Sequence, residues 1–237
     1  MSKIFLTSTS TAKQENQKKR KLEETIKIDD DSEEDSDSES WQSGGPVLVD
    51  DHSVIVADLK RLEPGQYLND TIIDFYLNYL KEQVLPSDDR DGVHIFTTIF
   101  YACLKTADKR NREKIPAREK RHLAVARWTK SVNIFQKNLL VFPICTNSHW
   151  FLIVVVKPGL IVCPDEKNNN GEPSIIVLDS LGGSQGTSVR LIREYLAEEW
   201  RTRMSPSDGR TISFSEKQIK TLVPKKVIIV IVVKVSR

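Results

Sequence analysis

A histidine and an aspartate stand at the ends of neighbouring apolar runs in the middle of the chain. His149 follows the short polar turn 146–148, and Asp179 ends the apolar run Ser174–Leu178. If both runs are strands of one sheet, their ends deliver the two side chains to one cleft. A histidine oriented by an aspartate is the base that a nucleophilic hydrolase needs. Taken alone, a structural histidine and a turn aspartate would explain the same residues.

A serine nucleophile is the first candidate, because residues 182–186 fit the pattern G-x-S-x-G between a predicted strand and a predicted helix. That architecture requires its histidine after the serine. No histidine follows His149 in the chain. The serine-hydrolase interpretation is therefore excluded, and we interpret these glycines as a flexible turn.

The cysteines give neither a metal site nor an evident nucleophile. Cys145, His149 and Cys163 match no common zinc spacing and lack a fourth ligand, so we expect no metal. Cys145 lies four residues before His149, about 13 Å away if the segment is extended, which is too far for proton transfer. We interpret Cys103 and Cys163 as structural. The absence of a C-x-x-C pair fits a reducing, intracellular setting.

Two amphipathic helices should frame the predicted sheet. Tyr67 precedes Asn69 and Asp70, either of which is a good helix cap, and apolar residues then recur at helical spacing up to Leu80. A second helix is predicted over residues 189–200. Between them, residues 105–121 are dense in Lys and Arg. We predict an exposed, mobile insertion there, either a plain solvated loop or a docking patch for an acidic partner.

The N-terminal residues 1–43 are predicted to be a disordered tail, because they have too few apolar side chains to offset the entropy of ordering. Residues 29–39 hold eight carboxylates; removing them from the 33 acidic residues leaves 25 against 35 basic ones. Ile26 and Ile28 run into these acids, so the segment is either a solubilising run or a strand-adding motif. The basic residues 18–21 are a candidate nuclear import signal, and we expect a nuclear protein.

The longest apolar run, residues 227–233, is too short to span a bilayer, so we expect a soluble protein without a membrane partner. No nucleic-acid partner and no cofactor are expected. Residues 225–237 form an almost uninterrupted β-forming run that differs in character from the rest of the chain.

Five motifs, in order, resemble the catalytic domain of the Ulp-type SUMO-specific (sentrin) cysteine proteases. Similarity to the branch that trims poly-SUMO chains is greatest. The motifs are Tyr-Leu-Asn-Asp-Thr-Ile-Ile-Asp-Phe-Tyr from Tyr67, His-Ile-Phe-Thr-Thr-Ile-Phe-Tyr from His94, Trp-Thr-Lys-Ser-Val-Asn-Ile-Phe from Trp128, Phe-Pro-Ile with Ser-His-Trp-Phe-Leu around His149, and Ile-Val-Leu-Asp-Ser-Leu through Asp179. The resemblance implies a papain-like α+β fold over residues 44–224, preceded by the tail 1–43.

The resemblance also implies a mechanism, thiolate attack on the isopeptide or peptide carbonyl after a Gly-Gly terminus. By position, His149 is the general base and Asp179 its orienting partner. Trp150 and Tyr67 would wall a tunnel narrow enough for two glycines. Asp70 and Trp128 would contact the body of SUMO, the expected partner, and Ile26 and Ile28 would belong to a SUMO-interacting motif.

The chain departs from the family pattern where the nucleophile is expected. The family's cysteine follows the histidine and aspartate, within a stretch that also supplies an oxyanion-hole glutamine, but no cysteine follows Cys163 here. We hypothesise that residues 225–237 derive from a shifted reading frame, an alternative exon or a gene-model error. We expect a SUMO peptidase by family whose chain, as written, has no nucleophile. The alternative is a catalytically dead SUMO-binding module.

Overall fold

The computed structural model describes residues 47–49, 52–110, 114–162, 171–204 and 212–225. The predicted tail, the Ile26 and Ile28 motif, the basic residues 18–21, Cys163 and the apolar run 227–233 lie outside the described residues. No helix in the described ranges is long and apolar enough to cross a membrane. Those ranges also contain no cluster of three or more metal-binding side chains.

A five-stranded mixed sheet carries the predicted site residues. In space its strands are ordered β3-β4-β5-β6-β7. Strand β5 pairs antiparallel with β4 and with β6. The outer strand β3 pairs parallel with β4, and the outer strand β7 pairs parallel with β6. A separate hairpin, β1–β2, precedes it. The strands are β1 Val47–Val49, β2 His52–Val54, β3 Val93–Ile95, β4 Leu139–Thr146, β5 His149–Val156, β6 Ser174–Leu178 and β7 Lys220–Leu222.

Helices cover the chain between and around these strands. They are α1 Val56–Leu59, α2 Asp70–Tyr79, α3 Ser87–Arg90, α4 Thr98–Arg110, α5 Ala117–Val125, α6 Gly159–Val162 and α7 Gly186–Glu199. Helix α2 continues as a π turn over Leu80–Val84, and α7 continues as one over Trp200–Met204. The motif that begins at His94 divides into β3 and α4.

The core joins buried side chains of α4 and α7 to buried side chains of strands β4, β5 and β6. Every second residue of β5 from Phe151 is buried, as expected of a strand with one covered face. These residues are Phe151, Ile153 and Val155. An aromatic cluster joins the layers: Phe96 stacks on Phe142, with ring centroids 4.1 Å apart, and Phe100 meets the Tyr195 ring edge-on. The mixed α and β layers confirm the predicted fold class.

The prediction of a mobile loop over residues 105–121 is wrong for most of that segment. Its described residues belong mainly to α4 and α5, and α5 is fastened to α7 by ion pairs. Arg118 meets the buried carboxylate of Glu198 at 2.8 Å, and Arg121 meets Glu194 at 2.6 Å. The high density of basic residues was a poor guide, because the acidic partners lie more than seventy residues further along the chain.

Candidate active site

A tight hairpin presents His149 at the edge of the sheet. Strands β4 and β5 pair up to Thr146 and His149, which leaves only Asn147 and Ser148 in the turn. Both turn residues have left-handed backbones, with φ of 52° and 59°, the geometry of the two-residue turn that matches the twist of a hairpin. His149 is therefore fixed as the first residue of β5, as the polar turn in the sequence predicts.

The pairing of β5 with β6 brings Asp179 to the same face as His149. Leu178 pairs with Leu152, so continuing the register by one residue sets Asp179 opposite Phe151. His149 is two residues before Phe151 and shares its face, since side chains alternate along a strand. The structure brings the two groups together, with His149 Nε2 and Asp179 Oδ1 2.7 Å apart.

A turn after β6 surrounds the carboxylate of Asp179 with donors. We call residues 179–185 the Asp179 turn. The backbone N–H of Leu181 donates to Oδ1 at 2.9 Å, while the N–H of Gly183 and the side-chain amide of Gln185 donate to Oδ2 at 3.1 and 2.8 Å. The side chain of Asp179 is 1% exposed. Such a fully bonded carboxylate is held in one orientation.

These contacts set the charge of the aspartate. Burial raises the pKa of Asp179, but the hydrogen bonds from Gln185, His149 and Leu181 favour the ionised form and outweigh it, so the pKa lies below its ordinary value. Asp179 is thus a carboxylate at neutral pH and can only accept hydrogen bonds.

The carboxylate fixes which nitrogen of His149 carries the proton. Since Asp179 is an acceptor, Nε2 is the donor and Nδ1 keeps its lone pair. Within the described part of the chain Nδ1 has no hydrogen-bond partner, and the His149 side chain is 24% exposed. The arrangement is an imidazole that is oriented from one side and accessible from the other, able to take a proton from an approaching thiol or water.

Sequence comparison identifies the family to which this geometry belongs. The profile of the Ulp1 protease family, C-terminal catalytic domain, matches residues 66–227. The chain belongs to the Ulp1 protease family.

Relatives in plants and animals agree with this assignment. The probable ubiquitin-like-specific protease 2A of Arabidopsis thaliana is 37% identical over 147 residues, covering 62% of this chain and 19% of that protein. Sentrin-specific protease 6 of Mus musculus is 44% identical over 110 residues, covering 46% and 10%. The chain therefore spans a fifth or less of the length of these relatives.

A solved structure supports the fold. A crystal structure described as that of the de-sumoylating protease superposes with a TM-score of 0.57 at 20% identity, covering 78% of this chain and 66% of the other. At this identity the likeness shows the shared fold, in agreement with the predicted Ulp-type architecture.

In this member of the Ulp1 family, Trp150 lies on the opposite face of the hairpin from His149 and contacts the segment that carries Tyr67. Trp150 follows His149 in β5, and its indole N–H donates to the carbonyl of Leu68 at 3.0 Å. This bond ties the segment before α2 to the end of the sheet. Tyr67 in that segment is 71% exposed, and Asp70 begins α2. The structure thus groups Trp150, Tyr67 and Asp70.

Asn69 holds the start of α2 in place for this group. Its side-chain oxygen accepts from the N–H of Ile72 at 3.1 Å, and its amide donates to Asp58 at 2.6 Å. Asn69 is therefore the helix cap that the sequence suggested, and Asp58 is a support that it did not reveal.

Trp128 is not brought into this group by any contact of the described residues. It lies in a 3₁₀ turn, Ala126–Thr129, where its ring meets Phe100 edge-on and the Arg127 guanidinium lies 4.3 Å from its centroid. These contacts join it to the edge of the core, and its predicted role in binding stays a prediction.

Neither described cysteine is placed to be activated by His149. Cys145 pairs with Trp150 across the hairpin and so shares the face of Trp150, opposite to that of His149. Burial, and then the negative charge of Asp70, raise the pKa of the Cys145 thiol, which disfavours the reactive thiolate. Cys103 lies in α4 against the core. Cys163 is the last cysteine among the 237 residues of the sequence.

The glycine-rich segment proves to be part of the site, which the sequence interpretation missed. Gly182 has a left-handed backbone, with φ of 75°. A Cβ on Gly183 would lie 2.7 Å from Asp179 Oδ2, so a side chain there would displace the carboxylate. The segment is a close-fitting support rather than a merely flexible turn. Adjacent glycines just after a candidate aspartate were the available signal.

Proposed function

We propose that this chain carries the histidine–aspartate half of a cysteine peptidase site that acts on SUMO conjugates. The observation that supports it most is the 2.7 Å bond between His149 Nε2 and Asp179 Oδ1, in an imidazole whose side chain is 24% exposed. Membership in the Ulp1 protease family adds the substrate class, because the relatives are named as ubiquitin-like-specific and sentrin-specific proteases.

In this proposal each residue of the pair has one task. Nδ1 of His149 takes the proton of a thiol, and the resulting thiolate attacks the carbonyl carbon of the second glycine in the Gly-Gly terminus. The imidazolium then gives its proton to the departing lysine amine, and water later hydrolyses the thioester. Asp179 keeps the imidazole in the Nε2–H tautomer and stabilises its charged form.

Trp150 and Tyr67 are proposed to flank the extended glycines, with Asp70 and Trp128 contacting the body of SUMO. Aromatic walls set close together admit a chain without side chains and reject one with them. The bond from Trp150 to Leu68 supports this assignment, because it fixes one wall relative to the segment that carries the other.

The second candidate is a module that binds SUMO without cleaving it. Among the described residues, the orientation of Cys145 and the core position of Cys103 favour it. This candidate uses the same binding surface and differs only in the fate of the bound chain.

A SUMO vinyl-sulfone probe and a binding titration with mature SUMO separate the two candidates. Binding without covalent labelling selects the module, and labelling selects the peptidase. A Cys145→Ser variant controls for incidental modification of the exposed thiol, since labelling that it abolishes does not come from the proposed site. No binding of SUMO would refute both candidates.

Replacing Trp150 tests the binding surface. Trp150→Ala should weaken SUMO binding by about tenfold or more, as loss of a central aromatic anchor does. Leu123→Ala, at an exposed apolar residue of α5, is the matched control and should leave the affinity unchanged. Equal affinities for the wild type and Trp150→Ala would remove the tunnel assignment.

We also propose that the N-terminal segment directs the protein to the nucleus and adds a SUMO contact. The basic residues 18–21 and the sequence of Ile26 and Ile28 before eight carboxylates support this. A fluorescent fusion with residues 18–21 replaced by alanine should leave the nucleus. An Ile26→Ala, Ile28→Ala variant should bind SUMO more weakly; an unchanged affinity would argue for the plain acidic run.

A further inference from the structure

Gln185 occupies an unusual position at the end of the Asp179 turn. Its backbone is left-handed, with φ of 48° and ψ of 35°, although glycine is the residue that adopts this conformation readily. It immediately precedes α7 but does not cap that helix with its side chain. Instead its amide reaches back six residues to Asp179 Oδ2. The left-handed backbone of Gln185 thus directs its side chain to Asp179 and not to the start of α7.

The amide of Gln185 and the N–H of Gly183 together satisfy Oδ2 of Asp179, while Leu181 and His149 share Oδ1. Because each oxygen has its own donors, the carboxylate cannot rotate about its Cβ–Cγ bond without breaking those hydrogen bonds. Gln185 is the only side chain other than His149 among the described residues that bonds this carboxylate. Together with the N–H groups of Leu181 and Gly183, it holds the carboxylate so that Oδ1 faces the imidazole.

We propose that Gln185 is a positioning residue, whose amide holds the Asp179 carboxylate in the orientation that keeps His149 in its Nε2–H tautomer. It acts through Asp179 and need not touch the substrate. The proposal takes the His149–Asp179 pair of the proposed function as its starting point, but it is tested on the pair itself, without turnover.

A structural role is the competing explanation, and two substitutions separate it from positioning. Gln185→Gly relieves the left-handed strain while removing the amide, so it should not lower stability through the backbone. Gln185→Glu keeps the shape but replaces the donor by a carboxylate beside Asp179. A role in packing alone predicts a lower stability of Gln185→Gly with unchanged spectra of Asp179 and His149. Positioning predicts changed spectra of both residues in Gln185→Gly, and a larger change in Gln185→Glu, where a like charge is added.

The measurements are NMR titration of the Asp179 carboxyl carbon and the ¹⁵N spectrum of the His149 imidazole, made on the whole chain. We expect the pKa of Asp179 to move upward in Gln185→Gly and further upward in Gln185→Glu, with loss of the single Nε2–H signal pattern of His149 at neutral pH. Gln136→Ala, at an exposed glutamine, is the matched control and should resemble the wild type.

Wild-type behaviour of Asp179 and His149 in Gln185→Gly, which removes the amide without adding a charge, would overturn the proposal. Wild-type thermal unfolding of that variant would show that the spectra report on a folded protein. SUMO titration of the wild type is independent of these readouts. If the wild type fails to bind SUMO, the proposed function fails, and the carboxyl titration still decides the role of Gln185.

Discussion

Two histidine–carboxylate pairs in this protein have nearly the same bond and opposite surroundings. His149 Nε2 lies 2.7 Å from Asp179, and His122 Nε2 lies 2.6 Å from Glu199. Each carboxylate is buried. The difference is in the imidazole, of which 24% is exposed at His149 and 4% at His122.

The second nitrogen shows what that difference means. Nδ1 of His122 is buried and has no partner among the described residues, so a proton placed there would be an unsatisfied donor. Nδ1 of His149 lies on an imidazole that solvent reaches. The hydrogen bond to a carboxylate is common to both pairs and does not distinguish them; access to the remaining nitrogen does. The His122 pair therefore fastens α5 to α7, whereas the His149 pair can exchange a proton with a ligand.

The largest expected effect is the loss of Glu199. Its carboxylate also accepts from Thr129 at 2.8 Å and meets Arg203 at 2.8 Å. Glu199→Ala therefore leaves these groups and the buried His122 without their acceptor. We expect a loss of about 3–5 kcal/mol in the free energy of unfolding, measured by urea denaturation. Glu172→Ala, at an exposed carboxylate, is the control and should change it by about 0.5 kcal/mol or less. Similar losses for both variants would show that the cluster contributes no special stability.

The next prediction applies one substitution to both pairs. His122→Ala should lower the free energy of unfolding by about 2–3 kcal/mol, because it leaves a cavity and removes a donor from Glu199. His149→Ala should lower it by about 1 kcal/mol or less, since its imidazole is partly in water. Urea denaturation of the two variants side by side checks this. Equal losses in the free energy of unfolding would mean that His149 contributes as much to stability as His122, and would contradict the proposed difference between the pairs.

Chemical access should separate the pairs without any mutation. An acylating reagent such as diethyl pyrocarbonate modifies neutral imidazole nitrogen, and peptide mapping resolves each histidine. His149 should react about ten times faster than His122 or more, because His122 becomes accessible only when the packing of α5 on α7 opens locally. Rates of the same size would show that the His122 cluster opens freely.

The contrast also explains what the sequence could reveal. The β4–β5 hairpin and the ends of β5 and β6 are encoded locally, as apolar runs broken by a polar turn, so His149 and Asp179 could be found from spacing. His122 and Glu199 are 77 residues apart, and nothing in either neighbourhood marks the other. Pairing across that distance depends on how two helices pack, which a pattern of residue types does not contain.

Gln185 escaped notice for a different reason. A glutamine in a glycine-rich turn carries no pattern, and its importance comes from a left-handed backbone that aims the amide backwards. The adjacent glycines did mark the segment, but as a sign of close approach rather than of flexibility. The basic residues of α5 were misjudged in the same way, since their carboxylate partners on α7 were not visible in the sequence.

The smallest expected effect is in the pH dependence of stability. It tests whether the fold favours the ionised form of both carboxylates. Burial raises the pKa of Glu199, but hydrogen bonds from His122 and Thr129 and the charge of Arg203 outweigh it, so its pKa lies below the ordinary 4.5. The pKa of Asp179 likewise lies below 3.8. A carboxyl group with a lowered pKa in the folded state stabilises the fold above its ordinary pKa and loses that contribution as the pH falls through the folded value.

Glu199→Gln and Asp179→Asn should therefore each flatten the fall in the free energy of unfolding between about pH 5 and pH 3. Urea denaturation at half-unit steps of pH measures the slopes, with Glu172→Gln as the control for an exposed carboxylate. A flattening at both sites would show that burial and donors hold both carboxylates ionised, so that only access to the imidazole divides the pairs. The opposite result is that the stability of Asp179→Asn falls with pH as steeply as that of the wild type, while that of Glu199→Gln does not. The two pairs would then differ in their carboxylates as well as in the exposure of their imidazoles.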